Sequence, residues 1–121
     1  MKPRFLYIIE CAPDLLKVGC SAQPEVRLTQ LWREAPDYEI EDYTLLATVP
    51  GSFADERVLH DNLARYRCRG EWYIDCSELR LLLWSLGFDI PVTDRSWTDS
   101  PVHQWMNEQL HERALVAAHW R

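Results

Sequence analysis

A β-hairpin signal near the start of the chain leaves few folds open to it. Residues 4–10 are apolar and rich in aromatic and β-branched side chains, which is typical of a strand. Pro13 and Asp14 supply the chemistry of a turn, and residues 15–20 are then predicted to form the returning strand. Gly19 indicates a bulge or a place where another group comes close to the backbone. The sequence therefore predicts an antiparallel hairpin here.

A helix is predicted directly after the hairpin. Pro24 fits its first position because the fixed backbone of proline suits the start of a helix. Leu28 and Leu31 repeat at helical spacing and give the helix one apolar face. Pro36 ends it, because the residue before a proline avoids helical backbone angles. An acidic stretch follows, and residues 43–49 are predicted to form a third strand.

Two more helices are predicted further along the chain. The first starts from Ser52 and runs toward Arg69. A short strand over residues 72–75 follows it. Ser77 is predicted to be the N-cap of the next helix, and Gly87 stands where a C-terminal cap belongs. Three helices are therefore expected before residue 88.

The chain is expected to form one domain with an appended helix. Residues 1–87 are long enough to bury a core of their own. Residues 88–100 shift to Pro, Asp, Thr and Ser and are predicted to be a linker. Residues 101–121 are predicted to form a C-terminal helix with an apolar face. That face either packs on its own domain or serves a homodimer or a protein partner, and the sequence leaves both open.

The charge of the chain is unevenly distributed. Its formal net charge is -6, which argues mildly against nucleic acid because phosphates attract positive charge. Arg65, Arg67 and Arg69 nevertheless form a basic cluster, which is either a solvated helix end or a track for a nucleic-acid backbone. No apolar run is long enough to span a membrane, and the first residues lack the features of a signal peptide. We therefore expect a cytoplasmic protein without a membrane partner.

The four cysteines do not predict disulfides in such a protein. They form no C-x-x-C pair, and their spacings are wider than those of zinc knuckles. Buried or surface thiols are the favoured interpretation, and a zinc site is the alternative. The four are Cys11, Cys20, Cys68 and Cys76.

Glu56 stands at the border of an apolar stripe, where a carboxylate needs a partner. It lies three residues before Leu59 and four before His60 on the second predicted helix. Arg27 lies four residues before Leu31 and flanks the apolar face of the first helix. Because an unpaired buried carboxylate is costly, two hypotheses follow. Glu56 and Arg27 form an ion pair between two helices, or Glu56 is a metal ligand that faces the arginine across a cleft.

Several short motifs occur in a particular order along residues 4–87. They are Phe5-Leu6-Tyr7, Lys17-Val18-Gly19, the helix start from Pro24 to Leu31, Pro50-Gly51, Glu56 with Leu59-His60, Arg67, and Gly70-Glu71-Trp72-Tyr73. In this order they resemble the GIY-YIG nuclease superfamily, and most closely its bacteriophage-protein branch. The resemblance implies an α+β fold with a small three-stranded antiparallel sheet flanked by helices. It also implies a metal-dependent endonuclease that cleaves DNA and derives from a phage or mobile element.

The resemblance assigns a role to each matching residue. It implies that Tyr7 helps to activate the attacking water, that Gly19 brings the backbone close to the site and its nucleic acid, and that Arg27 steadies the phosphate. Glu56 would be the acidic ligand of one divalent cation, Mg²⁺ or Mn²⁺, which suits a single carboxylate. His60 matches a position typical of the branch, and we expect it among the catalytic residues.

The chemistry of these roles is coherent. A metal ion lowers the pKa of a bound water, and an arginine offers forked donors to phosphate oxygens. The Tyr7 hydroxyl can relay a proton if nearby positive charge lowers its pKa.

Two residues depart from the motifs of the superfamily. Phe5 stands in place of a glycine, and Lys17 stands in place of the tyrosine of the second motif. Lys17 is expected to bring positive charge to a developing phosphoryl oxyanion. The same departure supports an alternative function, a catalytically weak or inactive module that binds nucleic acid or a host protein as a regulatory factor.

Overall fold

Five strands form one antiparallel sheet in the computed structural model, which describes residues 3–31 and 42–101 together with residues 104 and 108. The strands are β1 (Phe5–Ala12), β2 (Leu15–Ser21), β3 (Asp42–Pro50), β4 (Arg67–Arg69) and β5 (Trp72–Ile74), and their order in the sheet is β3-β1-β2-β5-β4. The helices are α1 (Pro24–Leu31), α2 (Phe53–Asn62) and α3 (Ser77–Ser85). The predicted acidic stretch after α1 and most of the predicted C-terminal helix lie outside the described residues.

The sheet is larger than the predicted one, which had three strands. The hairpin β1–β2 and the strand β3 lie where the sequence placed them, and the short strand β5 pairs with β2. Two strands are therefore additional to the three: β5, which was predicted as a short strand over residues 72–75, and β4, which falls where α2 was expected to continue toward Arg69. Instead, α2 ends at Asn62 and a 3-10 turn over Ala64–Tyr66 leads into β4. Gly70, with a φ of 56°, then turns the chain from β4 into β5.

Of the two serines predicted to begin helices, only Ser52 lies at the N-cap position. Ser52 is the N-cap of α2, where its side chain accepts from the backbone of Asp55 while the Asp55 carboxylate accepts from the backbone of Ser52. Ser77 is not the N-cap of α3, because Cys76 occupies that position without a side-chain cap. Ser77 is the first helical residue, and its hydroxyl donates to the Glu78 carboxylate at 2.7 Å.

The sheet carries a core on each face, because successive residues of a strand point to opposite sides. On one face, α1 covers a cluster that includes Tyr7, Ile9, Leu15 and Leu31. On the other face, leucines of α2 and α3 pack on the intervening strand residues. The buried members of that second cluster are Leu6, Ile8, Leu16, Val18, Leu59, Leu63, Tyr73, Cys76, Leu79, Leu83, Phe88 and Ile90.

Residues 88–100, predicted as a linker, contribute to this second core through Phe88 and Ile90. Arg80 of α3 anchors the same segment, because its guanidinium donates to the carbonyl of Pro91 at 2.9 Å. The same side chain bonds both oxygens of Asp75 at 2.7 Å and the Glu10 carboxylate of β1 at 2.6 Å. Arg80 therefore joins α3, the sheet and the segment that follows α3.

None of the four cysteines forms a disulfide. Within the described parts of the chain, no helix has the length and apolar character needed to cross a membrane.

Candidate active site

Tyr7 lies flat across the neighbouring strand, opposite Gly19. The two residues are partners in the β1–β2 register, and Tyr7 is only 1% exposed. A Cβ atom at position 19 would lie 2.9 Å from the Tyr7 Cε2 atom and still closer to the ring carbon that bears the hydroxyl. The close approach expected at Gly19 is therefore made by the phenol ring, which only glycine accommodates.

Arg27 projects from α1 toward this tyrosine. Its guanidinium donates a hydrogen bond to the Tyr7 hydroxyl and another to the Gln30 side chain at 3.2 Å. Because α1 packs on the same face of the sheet as Tyr7, the helix delivers the arginine to the phenol. The pair joins the hairpin to the first helix.

Burial raises the pKa of Tyr7 to about 12, and the charges of Glu71 and Glu56 act in the same direction. The hydrogen bond from Arg27 lowers the pKa but does not offset burial. The proton relay considered from the sequence requires a lowered pKa. In the structure burial outweighs the arginine, so the phenol holds its proton more tightly than an exposed tyrosine does.

Lys17 lies on the same face of β2 as Gly19 and is only 4% exposed. Its ammonium group is 3.0 Å from the Glu71 carboxylate and lies over the Trp72 ring, 4.6 Å from the ring centre. An ammonium group this deeply buried requires a charged partner, and Glu71 supplies it.

Glu71 is also a neighbour of Glu56 and His60, which project from α2. One ligand atom from each of these three residues lies within 4.8 Å of the other two. Glu56 and His60 are four residues apart on one helix face, and His60 Nε2 is 3.6 Å from Glu56 Oε1. The turn between β4 and β5 brings Glu71 to them, and its position is fixed because the Glu71 carbonyl accepts from the Val18 amide at 3.0 Å.

The three residues open onto a cleft of about 430 Å³. Burial raises the pKa of Glu56, and the nearby charge of Glu71 raises it further, although Lys17 opposes both effects. Burial lowers the pKa of His60, which keeps its imidazole neutral. The cleft is lined by Phe53, Glu56, Arg57, His60, Asp61, Arg67, Gly70 and Glu71.

The donor atoms of this cleft fit a divalent cation. The Nε2 atom of His60 is shielded from solvent and has no hydrogen-bond partner, while the Nδ1 atom is bonded to the Tyr73 hydroxyl. Two carboxylates beside a neutral imidazole are a common set of metal ligands. Besides burial, the charges that act on the pKa of Glu56 are those of Glu71 and Lys17.

The predicted basic cluster is not a single surface. Arg67 lines the cleft and donates to the Gly70 carbonyl at 2.6 Å. Arg65 instead lies over the Trp97 ring, 5.0 Å from its centre. Arg69 is exposed on the edge strand β4. Of the three arginines, Arg67 is the one that lines the cleft.

Two residues of the site were not identified from the sequence. Glu71 appeared there only as part of a motif, although a lysine inside a predicted strand already signals the need for an acidic partner. Tyr73 orients the His60 ring through its hydroxyl. No simple sequence pattern indicates that contact, because it joins α2 to β5.

Comparison with known families identified one match. The family model described as the T5orf172 domain matches residues 4–83, which include every residue of the cleft. It represents a phage-associated domain related to nuclease-like folds. No curated protein and no solved structure matches the chain.

Proposed function

The chain belongs to the T5orf172 domain family, a phage-associated family related to nuclease-like folds, and from this we propose that it is a metal-dependent endonuclease that cleaves DNA. The observation that carries the proposal is the cleft in which Glu56, His60 and Glu71 converge beside the Tyr7–Arg27 pair. We further propose the GIY-YIG type of reaction, since Glu56, His60 and Arg67 of the motifs line this cleft and Lys17 contacts Glu71 at its wall.

Glu56 would hold a divalent ion, Mg²⁺ or Mn²⁺, at the cleft. When bound, such an ion neutralises phosphate charge and makes a hydroxide available at neutral pH. The raised pKa of Glu56 is consistent with this role, because the carboxylate lies beside another negative charge and gains from a positive partner.

Arg27 and Tyr7 would bind the phosphate as a unit. The guanidinium offers two parallel donors to phosphate oxygens, and its bond to the Tyr7 hydroxyl orients it in advance. Because Tyr7 accepts from Arg27, its own O–H is left to donate to a phosphate oxygen or to a water. These preset donors stabilise negative charge as it develops.

Binding of DNA would extend along the rim of the cleft. Arg57 and Arg67 line the cleft and bring positive charge to a chain that is acidic overall. Phe53 is 58% exposed at the same place, with the Arg4 guanidinium 4.1 Å from its ring centre. An exposed aromatic ring beside arginines is a surface on which an unpaired base can stack.

A second function, binding of nucleic acid or of a host protein without cleavage, is favoured by one observation. Lys17 replaces the tyrosine of the second motif, and its charge is already paired with Glu71. The chain would then lack one member of the catalytic pair of the superfamily.

An assay on plasmid and branched DNA, with Mg²⁺ or Mn²⁺, separates these functions. We expect cleavage by the wild type, and a loss of about 10²–10³-fold in rate for Arg27→Ala with an unchanged circular dichroism spectrum. Glu56→Gln should be equally impaired. The control is Asp89→Asn, which removes an exposed acid outside the cleft and should cleave normally. Equal background from wild type and Glu56→Gln would contradict the nuclease, and tight metal-independent binding of DNA would then support the second function.

A further inference from the structure

We infer that Glu56 is one of three ligands, and that Glu56, His60 and Glu71 together form a site for a first-row transition ion such as Mn²⁺ in preference to Mg²⁺. The inference rests on the proposed function for the presence of an ion. It adds two residues to the ligand set and a class of metal.

The distances allow all three residues to bind one ion. Their ligand atoms lie within 4.8 Å of one another. For any such triangle a point exists within about 2.8 Å of all three atoms, so side-chain shifts below about 1 Å would bring each to a metal–ligand distance of about 2.1 Å.

The His60 ring is held in the orientation that a ligand needs. Its Nδ1 atom is bonded to the Tyr73 hydroxyl. The opposite nitrogen, Nε2, faces Glu56 at 3.6 Å, which is beyond hydrogen-bonding distance, and it has no other partner. Metal-bound histidines show this same division, with one nitrogen on the ion and the other fixed by a neighbouring polar group.

Lys17 accounts for the close approach of the two carboxylates, Glu56 and Glu71. Its ammonium group, 3.0 Å from Glu71, offsets one negative charge and leaves the other for an ion. We therefore assign Lys17 as the positioning residue for Glu71, in place of the phosphate contact expected from the sequence.

The nitrogen ligand decides the class of metal. Mg²⁺ binds oxygen ligands almost exclusively and retains most of its waters. An imidazole suits the later first-row transition ions best, and Mn²⁺, the weakest binder of that series, still accepts a nitrogen ligand more readily than Mg²⁺ does. A site with one imidazole and two carboxylates should therefore favour Mn²⁺ over Mg²⁺.

Direct binding of Mn²⁺ to the full chain, without DNA, tests the inference. Electron paramagnetic resonance counts free Mn²⁺, and pulsed measurements detect a coordinated ¹⁴N nucleus. We expect one bound Mn²⁺ that excess Mg²⁺ displaces poorly, with a ¹⁴N signal that His60→Gln abolishes. His60→Gln and Glu71→Gln should each weaken binding at least about tenfold, the scale of changes near a metal site. Asp89→Asn, which changes an exposed acid outside the cleft, is again the control and should bind as the wild type does.

A folding defect would not obscure the result. Because Glu71→Gln leaves the Lys17 ammonium group buried without its partner, the double variant Lys17→Met/Glu71→Gln removes both charges and should show the same loss of Mn²⁺ affinity. Wild-type affinity in His60→Gln and Glu71→Gln, with a loss only in Glu56→Gln, would overturn the inference. Three-ligand Mn²⁺ binding without DNA cleavage would overturn the proposed function alone.

Discussion

The absence of a side chain at Gly19 determines where the Tyr7 ring lies. Because the Tyr7 ring occupies the space that a Cβ would need, Gly19→Ala must displace the ring or the strand. We expect it to lower the free energy of unfolding by about 1–3 kcal/mol, as overpacking of a core does. It should also slow DNA cleavage, since the displaced hydroxyl no longer meets Arg27. Urea denaturation and the plasmid assay measure the two effects.

The control for that substitution is Gly87→Ala. Gly87 has a φ of 102°, and no atom lies within 4 Å of the point where a Cβ would stand, so alanine there acts only through backbone strain. It should lower stability by about 1–2 kcal/mol and leave the cleavage rate of folded protein unchanged. If Gly19→Ala also left cleavage unchanged, the Tyr7–Arg27 pair would have no part in the reaction.

At the scale of elements, the second helix shows where inference from the sequence stops. Ser52 correctly predicted the start of α2, because capping depends on residues three apart. The predicted end of α2 was wrong. The spacing of Leu59, Leu63 and Tyr66 fits one long helix as well as it fits a helix followed by a 3-10 turn. Tyr66 packs on the core in either case, so the apolar pattern does not distinguish the two.

That error explains why Glu71 was missed. Its place in the cleft depends on the turn between β4 and β5, and a helix running to Arg69 contains no such turn. Glu56 and Arg27 could be named from their helix positions, whereas Tyr7, Lys17 and His60 could be named only because their motifs resemble those of the nuclease superfamily. The contact between Lys17 and Glu71 joins residues far apart in the sequence, and only the pairing of β2 with β5 reveals it.

Arg80 holds three parts of the fold together: α3, the sheet and the segment after α3. Arg80→Ala would leave the Asp75 carboxylate buried without its partner and would free the Pro91 carbonyl. We expect a loss of about 3–5 kcal/mol in the free energy of unfolding, the usual effect of removing one member of a buried ion pair. Chemical denaturation measures it. Arg80→Lys keeps the positive charge but loses the forked donors of the guanidinium, so its stability should lie between those of the wild type and Arg80→Ala. A loss below about 1 kcal/mol for Arg80→Ala would show that the segment after α3 is held by its apolar contacts alone.

For the molecule as a whole, buried tyrosine and cysteine side chains predict that the free energy of unfolding falls at high pH. Burial raises the pKa of Tyr7, Tyr73 and Cys11 to about 12 and that of Cys76 to about 11. Tyrosine and cysteine in the unfolded chain titrate near their ordinary values of 10.0 and 9.0. The folded state therefore holds these protons more tightly, so their contribution is complete below about pH 9 and is lost as the pH rises toward 12.

Denaturation curves between pH 7 and pH 11 test this prediction. Stability should fall progressively above pH 9, and Tyr7→Phe should reduce the slope above pH 10 because it removes one titrating group. A free energy of unfolding that stays constant up to pH 11 would contradict the burial of these groups.

The short edge strand β4 has a consequence for behaviour at high concentration. A sheet edge presents unpaired backbone groups that can recruit a second sheet and begin aggregation. Here that edge is three residues long and carries two exposed arginines, Arg67 and Arg69. A second molecule approaching edge to edge would meet like charge and too few backbone groups for a lasting ladder. The same guanidinium at position 67 that lines the cleft thus also opposes pairing of two molecules at this edge of the sheet.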